Sequence, residues 1–175
     1  MSQGVGEVRI GIALQVPPPY GPVLQAARAD FGDPQAEHIP PHITIVGPTV
    51  VPADLTPIVD HLTAVGREHR PFPVLLRGTG TFRPVSDVVF VQVAQGISEC
   101  ERLERAVRTG PLDQQTKFNY HPHVTVAHDL TAAALDRAFA ELADFEAQFT
   151  VDAMHLYEFG ADEVWRPVRD VPLTA

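Results

Sequence analysis

Two histidines and two threonines carry the chemistry that can be read from this chain. They lie in Pro41-His42-Ile43-Thr44-Ile45-Val46 and Pro122-His123-Val124-Thr125-Val126-Ala127. Aligned, each stretch is proline, histidine, aliphatic, threonine, aliphatic, then a small or aliphatic residue. The histidines are 123 − 42 = 81 residues apart, close to half of a 175-residue chain. A neutral imidazole takes a proton and a protonated one supplies it, and an ordinary pKa of about 6.5 lets both forms coexist near neutrality. A hydroxyl can donate to a phosphoryl oxygen in the manner of an oxyanion hole. Two such pairs facing each other would hold a base for water, an acid for a leaving oxygen and two donors for the non-bridging oxygens. That is a phosphoester-processing site in outline, and it needs no metal.

A lone His-x-Thr among 8 histidines would mean little, because a strand histidine is usually a satisfied structural residue. Shared proline prefix, shared alternation and half-chain spacing together argue for duplication and for functional histidines. The middle residues of each stretch are mostly β-branched and free of Gly and Pro, which suits a strand. Strand side chains alternate, so His42 and Thr44 share one face and Ile43 and Ile45 the other. His123 and Thr125 relate to Val124 and Val126 in the same way. Each strand thus presents an imidazole and a hydroxyl about 7 Å apart over an apolar back.

The elements around the motifs repeat as well. Residues 8–16 read as a buried strand stopped by Pro17-Pro18-Pro19. A helix starting near Gly21-Pro22 follows, with Val23, Leu24, Ala27 and Phe31 inward. Pro40-Pro41 sets an extended entry to the first motif strand, which Gly47-Pro48 ends. Thr56 caps a helix from Pro57 with Ile58, Val59, Leu62 and Val65 inward, and residues 74–77 form a strand. In the second half, 88–93 is a strong strand, starting 88 − 8 = 80 residues after the first. Ser98 and Glu101 make a capping box for a helix carrying Leu103, Ala106 and Val107, ended by Gly110-Pro111. A polar, irregular stretch leads to the second motif. Thr131 then caps a helix with Leu135, Ala138, Phe139 and Leu142 inward. Strands follow at 145–151 and 154–157, and 164–171 closes the chain as an edge strand broken by Pro167. One domain, 1–175, with repeats at about 1–85 and 86–175 is expected. The fold class is α+β: bilobal, pseudo-two-fold, with two antiparallel sheets lining a central cleft and helices on their outer faces.

Composition limits the partners. The hydrophobic fraction of 45% is that of a globular protein. The single cysteine, Cys100, excludes an internal disulfide, and its acidic neighbours Glu99 and Glu101 argue against a reactive thiolate. No apolar run is long enough to span a membrane. Met1-Ser2-Gln3-Gly4-Val5-Gly6-Glu7 has neither a basic nor an apolar leader region, so a cytoplasmic location is expected. The net charge of −9, a lone lysine (Lys117) and scattered arginines do not suit long nucleic acids, which are held mainly through neutralised phosphates. Arg67, Arg70, Arg77 and Arg83 are the densest basic patch and read mostly as a solvated face. A small phosphorylated substrate and a monomeric protein are the expectation.

The paired motifs, the halved layout and the Gly80-Thr81-Phe82 segment before Val88 resemble the 2H phosphoesterase superfamily. Within it the likeness is to bacterial 2′-5′ RNA ligase-like proteins, also described as RNA 2′,3′-cyclic phosphodiesterases. The ending Val164-Trp165-Arg166-Pro167 with Val171-Pro172-Leu173 is also similar to that family's chains. The resemblance implies metal-independent phosphodiester chemistry without a cofactor, catalytic roles for His42 and His123, and phosphate binding by Thr44 and Thr125. It admits 2′-5′ ligation as an alternative activity. RNA-directed members carry an arginine three residues after the second threonine, where this chain has His128. Loss of a bidentate phosphate clamp there tells against an RNA substrate more than against cyclic phosphodiester chemistry. With the acidic surface it points to a nucleotide, a short oligonucleotide or short RNA end, or another small phosphodiester.

Further residues have a bland reading beside the functional one. Phe82 and Tyr120 are candidates to stack on a base, with His128 as a third substrate contact, against core packing or loop anchoring. His121 reads as a surface residue and Trp165 as an edge-strand anchor. His38 and His42 stand four apart, but Pro40 and Pro41 exclude a helical metal site. His61, His69 and His155 belong to no constellation. Two rival functions are a metallohydrolase using His121, His123 and His128, with His42 as a fourth ligand, and a nucleotide-binding module without turnover.

Overall fold

The computed structural model describes residues 6–175. Most of the N-terminal stretch examined for a leader, residues 1–5, lies outside the described residues. The element order is β1 (Glu7–Gln15), α1 (Tyr20–Asp30), β2 (His42–Pro52), α2 (Thr56–Glu68), β3 (Phe72–Thr81), β4 (Val88–Gln95) and α3 (Ile97–Val107), then β5 (His123–His128), α4 (Ala132–Glu141), β6 (Glu146–Val151), β7 (Ala153–Phe159) and β8 (Trp165–Pro172). Short 3-10 turns occupy Pro34–Glu37 and Gly110–Leu112. Two four-stranded sheets result, in the orders β2-β1-β7-β8 and β5-β4-β3-β6. All their pairings are antiparallel. The α+β class and the two-sheet plan are those the repeat implies.

The sheets do not follow the halves of the sequence. β3, from the first half, lies between β4 and β6, while β7 and β8 extend the sheet of β1 and β2. Each motif strand is thereby left at a sheet edge: β2 in one, β5 in the other. Apolar residues on the backs of both sheets, including Ile12, Leu14, Ile43, Val91 and Val124, join one core. All four helices cover it, through Leu24 of α1, Leu62 of α2, Leu103 of α3 and Leu135 of α4. The opposite faces stay open. They form the cleft expected of a duplicated sheet covered on one side.

Several local expectations change. β2 does not end at Gly47-Pro48; it runs on to Pro52. The pairs Ile12 with Val46 and Ile10 with Thr49 leave those two residues opposite Gly11 alone, so a bulge absorbs them. An edge strand tolerates the missing proline N–H. Val23 and Phe139 are not inward, at 52% and 39% exposure. The buried side of α1 is Gly21, Leu24 and Arg28, and that of α4 is Leu135 and Ala138, so the true stripes are rotated from those drawn. Ser98 does not cap α3, because Gly96 at φ 105° turns the chain directly from β4 into a helix that already starts at Ile97. Thr56 is the first residue of α2 rather than its cap; Asp54 Oδ1 accepts from its N–H at 3.0 Å. Thr131 does cap α4, accepting from Ala134 N at 3.2 Å.

α2 seats against the last strand where Gly66 faces the Pro172 carbonyl, into which a Cβ would project. Gly66→Ala therefore costs about 1–3 kcal/mol through overpacking. For a chain of this length that is a fall in Tm of about 3–10 °C, read by thermal unfolding.

Candidate functional site

The prolines before the two histidines have a structural purpose. An extended X-Pro-His entry turns the carbonyl two residues back onto the ring. Pro40 O accepts from His42 Nδ1 at 2.7 Å, and His121 O accepts from His123 Nδ1 at 2.7 Å. A carbonyl can only accept, so both Nδ1 atoms carry a proton and each Nε2 is left for chemistry. Nε2 of His42 is 3.2 Å from the Thr44 hydroxyl, two residues along on the same face. Thr125 is half-buried beside His123 on its own strand, and its hydroxyl has no hydrogen-bond partner within the described residues.

Both strands also carry an extra residue directly after the threonine. Ile45 falls between the pairs Thr44 with Ala13 and Val46 with Ile12. Val126 falls between Thr125 with Phe90 and Ala127 with Val89. Each bulge keeps two successive residues in the core and returns the next one, Gly47 or His128, to the open face.

Two hydrogen bonds hold the strands next to each other across the sheet boundary. Tyr120, just ahead of β5, donates its hydroxyl to Thr44 O at 2.7 Å. Asp33, on the segment leading into β2, accepts from His128 N at 3.1 Å. The start of β5 thus lies along the middle of β2, and the end of β5 beside the approach to His42. Both imidazoles belong to this seam.

Their surroundings differ. His42 stacks on Trp165 at 4.6 Å between ring centroids, and Trp165 leans on Tyr157 and Phe159. This apolar group lies on the open face of the first sheet, apart from the main core. Burial there pushes the His42 pKa down to about 4; the Arg28 and His123 charges act the same way and the Pro40 carbonyl opposes. His123 packs edge-on to Phe82 at 5.0 Å and against Phe90 at 5.1 Å. Burial lowers its pKa as well, opposed by the His121 carbonyl. Phe90 lies across Gly80, where a Cβ would meet the ring edge at 2.6 Å.

The other residues singled out in the sequence divide. Phe82 packs on His123 and on Phe90, so it supports the imidazole. The Tyr120 hydroxyl is committed to Thr44 O, leaving only its ring to a ligand. His128 is exposed on the open face, its Nε2 3.4 Å from Asp129 Oδ1. His121 is exposed yet joins the aromatic group, 5.3 Å from Phe90. Trp165 is an edge-strand residue, and it is also the surface on which His42 rests. Cys100 is buried and its pKa is pushed up to about 12, by burial first and its acidic neighbours second. Arg28, Phe90 and the His42 contact of Trp165 escaped the sequence reading. Phe90 alone had a signal, the parity of its strand, and only the pairing with Thr125 gives that parity meaning.

A cavity of about 560 Å³ opens beside this seam, with Thr44 and His123 on its wall together with Phe82, Val85, Phe118 and Tyr120. A space of that size takes a nucleoside-sized group. Lys117 lines it too, and Arg108 on its wall is paired with Glu104 at 2.7 Å. Among the described residues no three His, Cys, Asp or Glu side chains converge in a way that could hold a metal ion. No helix of the described residues is long and apolar enough to cross a membrane.

Trp165 is the main dry surface against His42. Trp165→Ala should hydrate the ring and raise its pKa from about 4 toward the ordinary histidine value. An NMR pH titration of the His42 ring protons reads this; an unmoved pKa would show that other neighbours set it.

The family model of the 2′-5′ RNA ligase superfamily matches residues 16–163. A Bacillus cytotoxicus protein with a provisional phosphoesterase name is 30% identical over 136 residues, covering 76% of this chain and 78% of that one. Escherichia coli LigT complexed with NADP+ superposes with a TM-score of 0.63 at 17% identity, over 97% of this chain and 99% of LigT. TT0787 of Thermus thermophilus gives 0.61 at 21% identity, over 95% and 98%. At those identities the likeness of the solved structures speaks for the fold.

Proposed function

The chain belongs to the 2′-5′ RNA ligase superfamily, and from that premise we propose that it is a metal-independent phosphodiesterase acting on 2′,3′-cyclic phosphates or related nucleotide and short-oligonucleotide diesters. The observation that carries the reading is the matched construction of the two motifs. In each, a backbone carbonyl holds Nδ1–H and frees Nε2, with a threonine two residues along on the same strand face; Nε2 of His42 lies 3.2 Å from the Thr44 hydroxyl. Provisional phosphoesterase names among relatives support the reaction class. Solved LigT complexes with NADP+ and 3′-AMP support a nucleotide as ligand. The aromatic cavity beside His123 has room for a base and sugar, and the net charge of −9 favours a small substrate over a long polyanion.

The unequal burial supports one division of roles. His42, the more strongly depressed, is neutral near pH 7 and serves as base. Its Nε2 takes a proton from water as the water oxygen bonds to phosphorus. His123, in its protonated form, gives its Nε2 proton to the ribose oxygen as the P–O bond breaks. Thr44 and Thr125 donate their hydroxyls to non-bridging oxygens, where charge builds in the transition state. The product is a phosphomonoester, and the two histidines exchange protons with solvent to reset. Both histidines come from one chain, so a monomer suffices.

The test is turnover of 2′,3′-cyclic mononucleotides, cyclic-ended oligonucleotides and 2′-5′-linked dinucleotides. His42→Ala and His123→Ala should each lower kcat by about 10²–10⁴-fold, and excess chelator should leave the wild type unchanged. Retention of wild-type kcat by either variant, or loss of activity with chelator, overturns the mechanism. The pH profile of kcat/KM carries the role assignment. The base is lost as pH falls through the His42 value of about 4. The acid is lost as pH rises through a His123 value below the usual 6.5. A bell with its maximum on the acid side of neutrality is expected; a maximum above pH 7 would contradict it.

A further inference from the structure

A buried guanidinium stands at the His42 end of the seam. Arg28, on the inner side of α1, is 7% exposed, and its partner Asp33 is 3% exposed. Arg28 Nε donates to Asp33 Oδ2 at 2.7 Å. The same oxygen accepts from His128 N at 3.1 Å, while Oδ1 accepts from Gln35 N at 2.9 Å. The carboxylate therefore clamps the guanidinium against the end of β5, where the bulge returns residue 128 to the open face.

The pair leaves one side of the guanidinium unused. Arginine commonly meets a carboxylate through two parallel N–H bonds. Here Nε alone is engaged, and Nη1 and Nη2 make no hydrogen bond within the described residues. Four N–H donors of a cation held by Asp33 are left free, and Asp33 itself is bonded to the end of β5 at the seam. Neither Nη is among the enclosed unpartnered polar atoms, so the free side of the fork reaches solvent and is open to an acceptor from outside. The Arg28 charge also reaches His42, where it disfavours protonation. On a protein of net charge −9, an anion needs a local cation of this kind to stay in the cleft.

We propose that Arg28, oriented by Asp33, binds a non-bridging oxygen of the reacting phosphoryl group through Nη1 and Nη2, beside His42. Asp33 is then a positioning residue: it sets the direction of the fork and ties it to the strand that carries His123. The identity of the anion rests on the phosphodiesterase reading, whereas the anion site itself does not. Threonine hydroxyls and a guanidinium would share the phosphoryl oxygens, the hydroxyls from within the seam and the cation from its end.

Inorganic phosphate is the probe, titrated into the full chain while the His42 ring resonances are followed by NMR. Arg28→Gln should weaken phosphate binding about 10- to 100-fold, the range for a charge-assisted hydrogen bond. It should lower kcat/KM for a cyclic nucleotide by a similar factor. The double variant Arg28→Gln with His128→Arg returns a guanidinium from the neighbouring position on β5 and should recover most of the phosphate affinity, which a structural role would not produce. If Arg28→Gln proves unfolded by thermal melting, Arg28→Lys replaces it. That variant keeps the charge against Asp33 without the fork, so a reduced phosphate affinity at near-native Tm is expected. Wild-type phosphate affinity in a folded Arg28 variant overturns the inference. Phosphate binding through Arg28 without turnover of any diester would leave the site standing and remove the phosphodiesterase reading. Turnover abolished by His42→Ala but indifferent to Arg28→Gln would do the reverse.

Discussion

The site depends on two edge strands that must lie side by side without sharing a ladder. β2 ends one sheet and β5 ends the other, so no run of backbone hydrogen bonds fixes their separation. Side chains do that work. The Tyr120 hydroxyl reaches Thr44 O, and Asp33 reaches His128 N. Behind the seam, Ile43, Ile45, Val124 and Val126 pack into one core with the helices. Burial of those residues is what makes the register stiff, since a slip of one residue would expose the apolar set and bury the imidazoles. Placing the motifs at edges has a chemical benefit as well. A substrate can approach the seam from the open side, while each strand stays anchored by its inner neighbour.

Local symmetry and environmental asymmetry coexist here. Proline entry, Nδ1 lock, threonine two residues along and bulge after the threonine are common to both motifs. What surrounds each ring is not. His42 lies on an indole from the last strand, with a buried cation nearby; His123 lies among phenyl rings and a second imidazole. The proposed reaction needs the two histidines in opposite protonation states. A duplicated scaffold supplies two equal groups, and unequal burial is the simplest physical means of making them differ.

The exchange of strands between halves gives the asymmetry its source. β7 and β8 belong to the second repeat yet complete the first sheet, which brings Tyr157, Phe159 and Trp165 onto the open face behind His42. β3 crosses the other way and places Gly80 under Phe90. The aromatic walls of each half are therefore built largely by residues distant in the chain. The acidic segment carrying Asp33 joins α1 to the end of β5 and adds a cation at one end only.

What acts over two residues of a strand was legible in the chain. Alternation puts histidine and threonine on one face, and a proline before each histidine sets the carbonyl that holds Nδ1; both act over two residues. The repeat also announced two sheets and outer helices. Stop signals were less reliable, because Gly47-Pro48 can end a strand or become a bulge, and only a pairing partner decides which. Helix faces at Val23 and Phe139 were misjudged by a fraction of a turn, since the direction of burial is set by what packs on the helix. Tertiary structure alone decided which histidine is drier, that Trp165 touches His42, that Arg28 is held at the seam and that Tyr120 spends its hydroxyl on β2. Those contacts join residues far apart in the chain through strand pairing and desolvation, and neither leaves a periodic trace in the residues that make them.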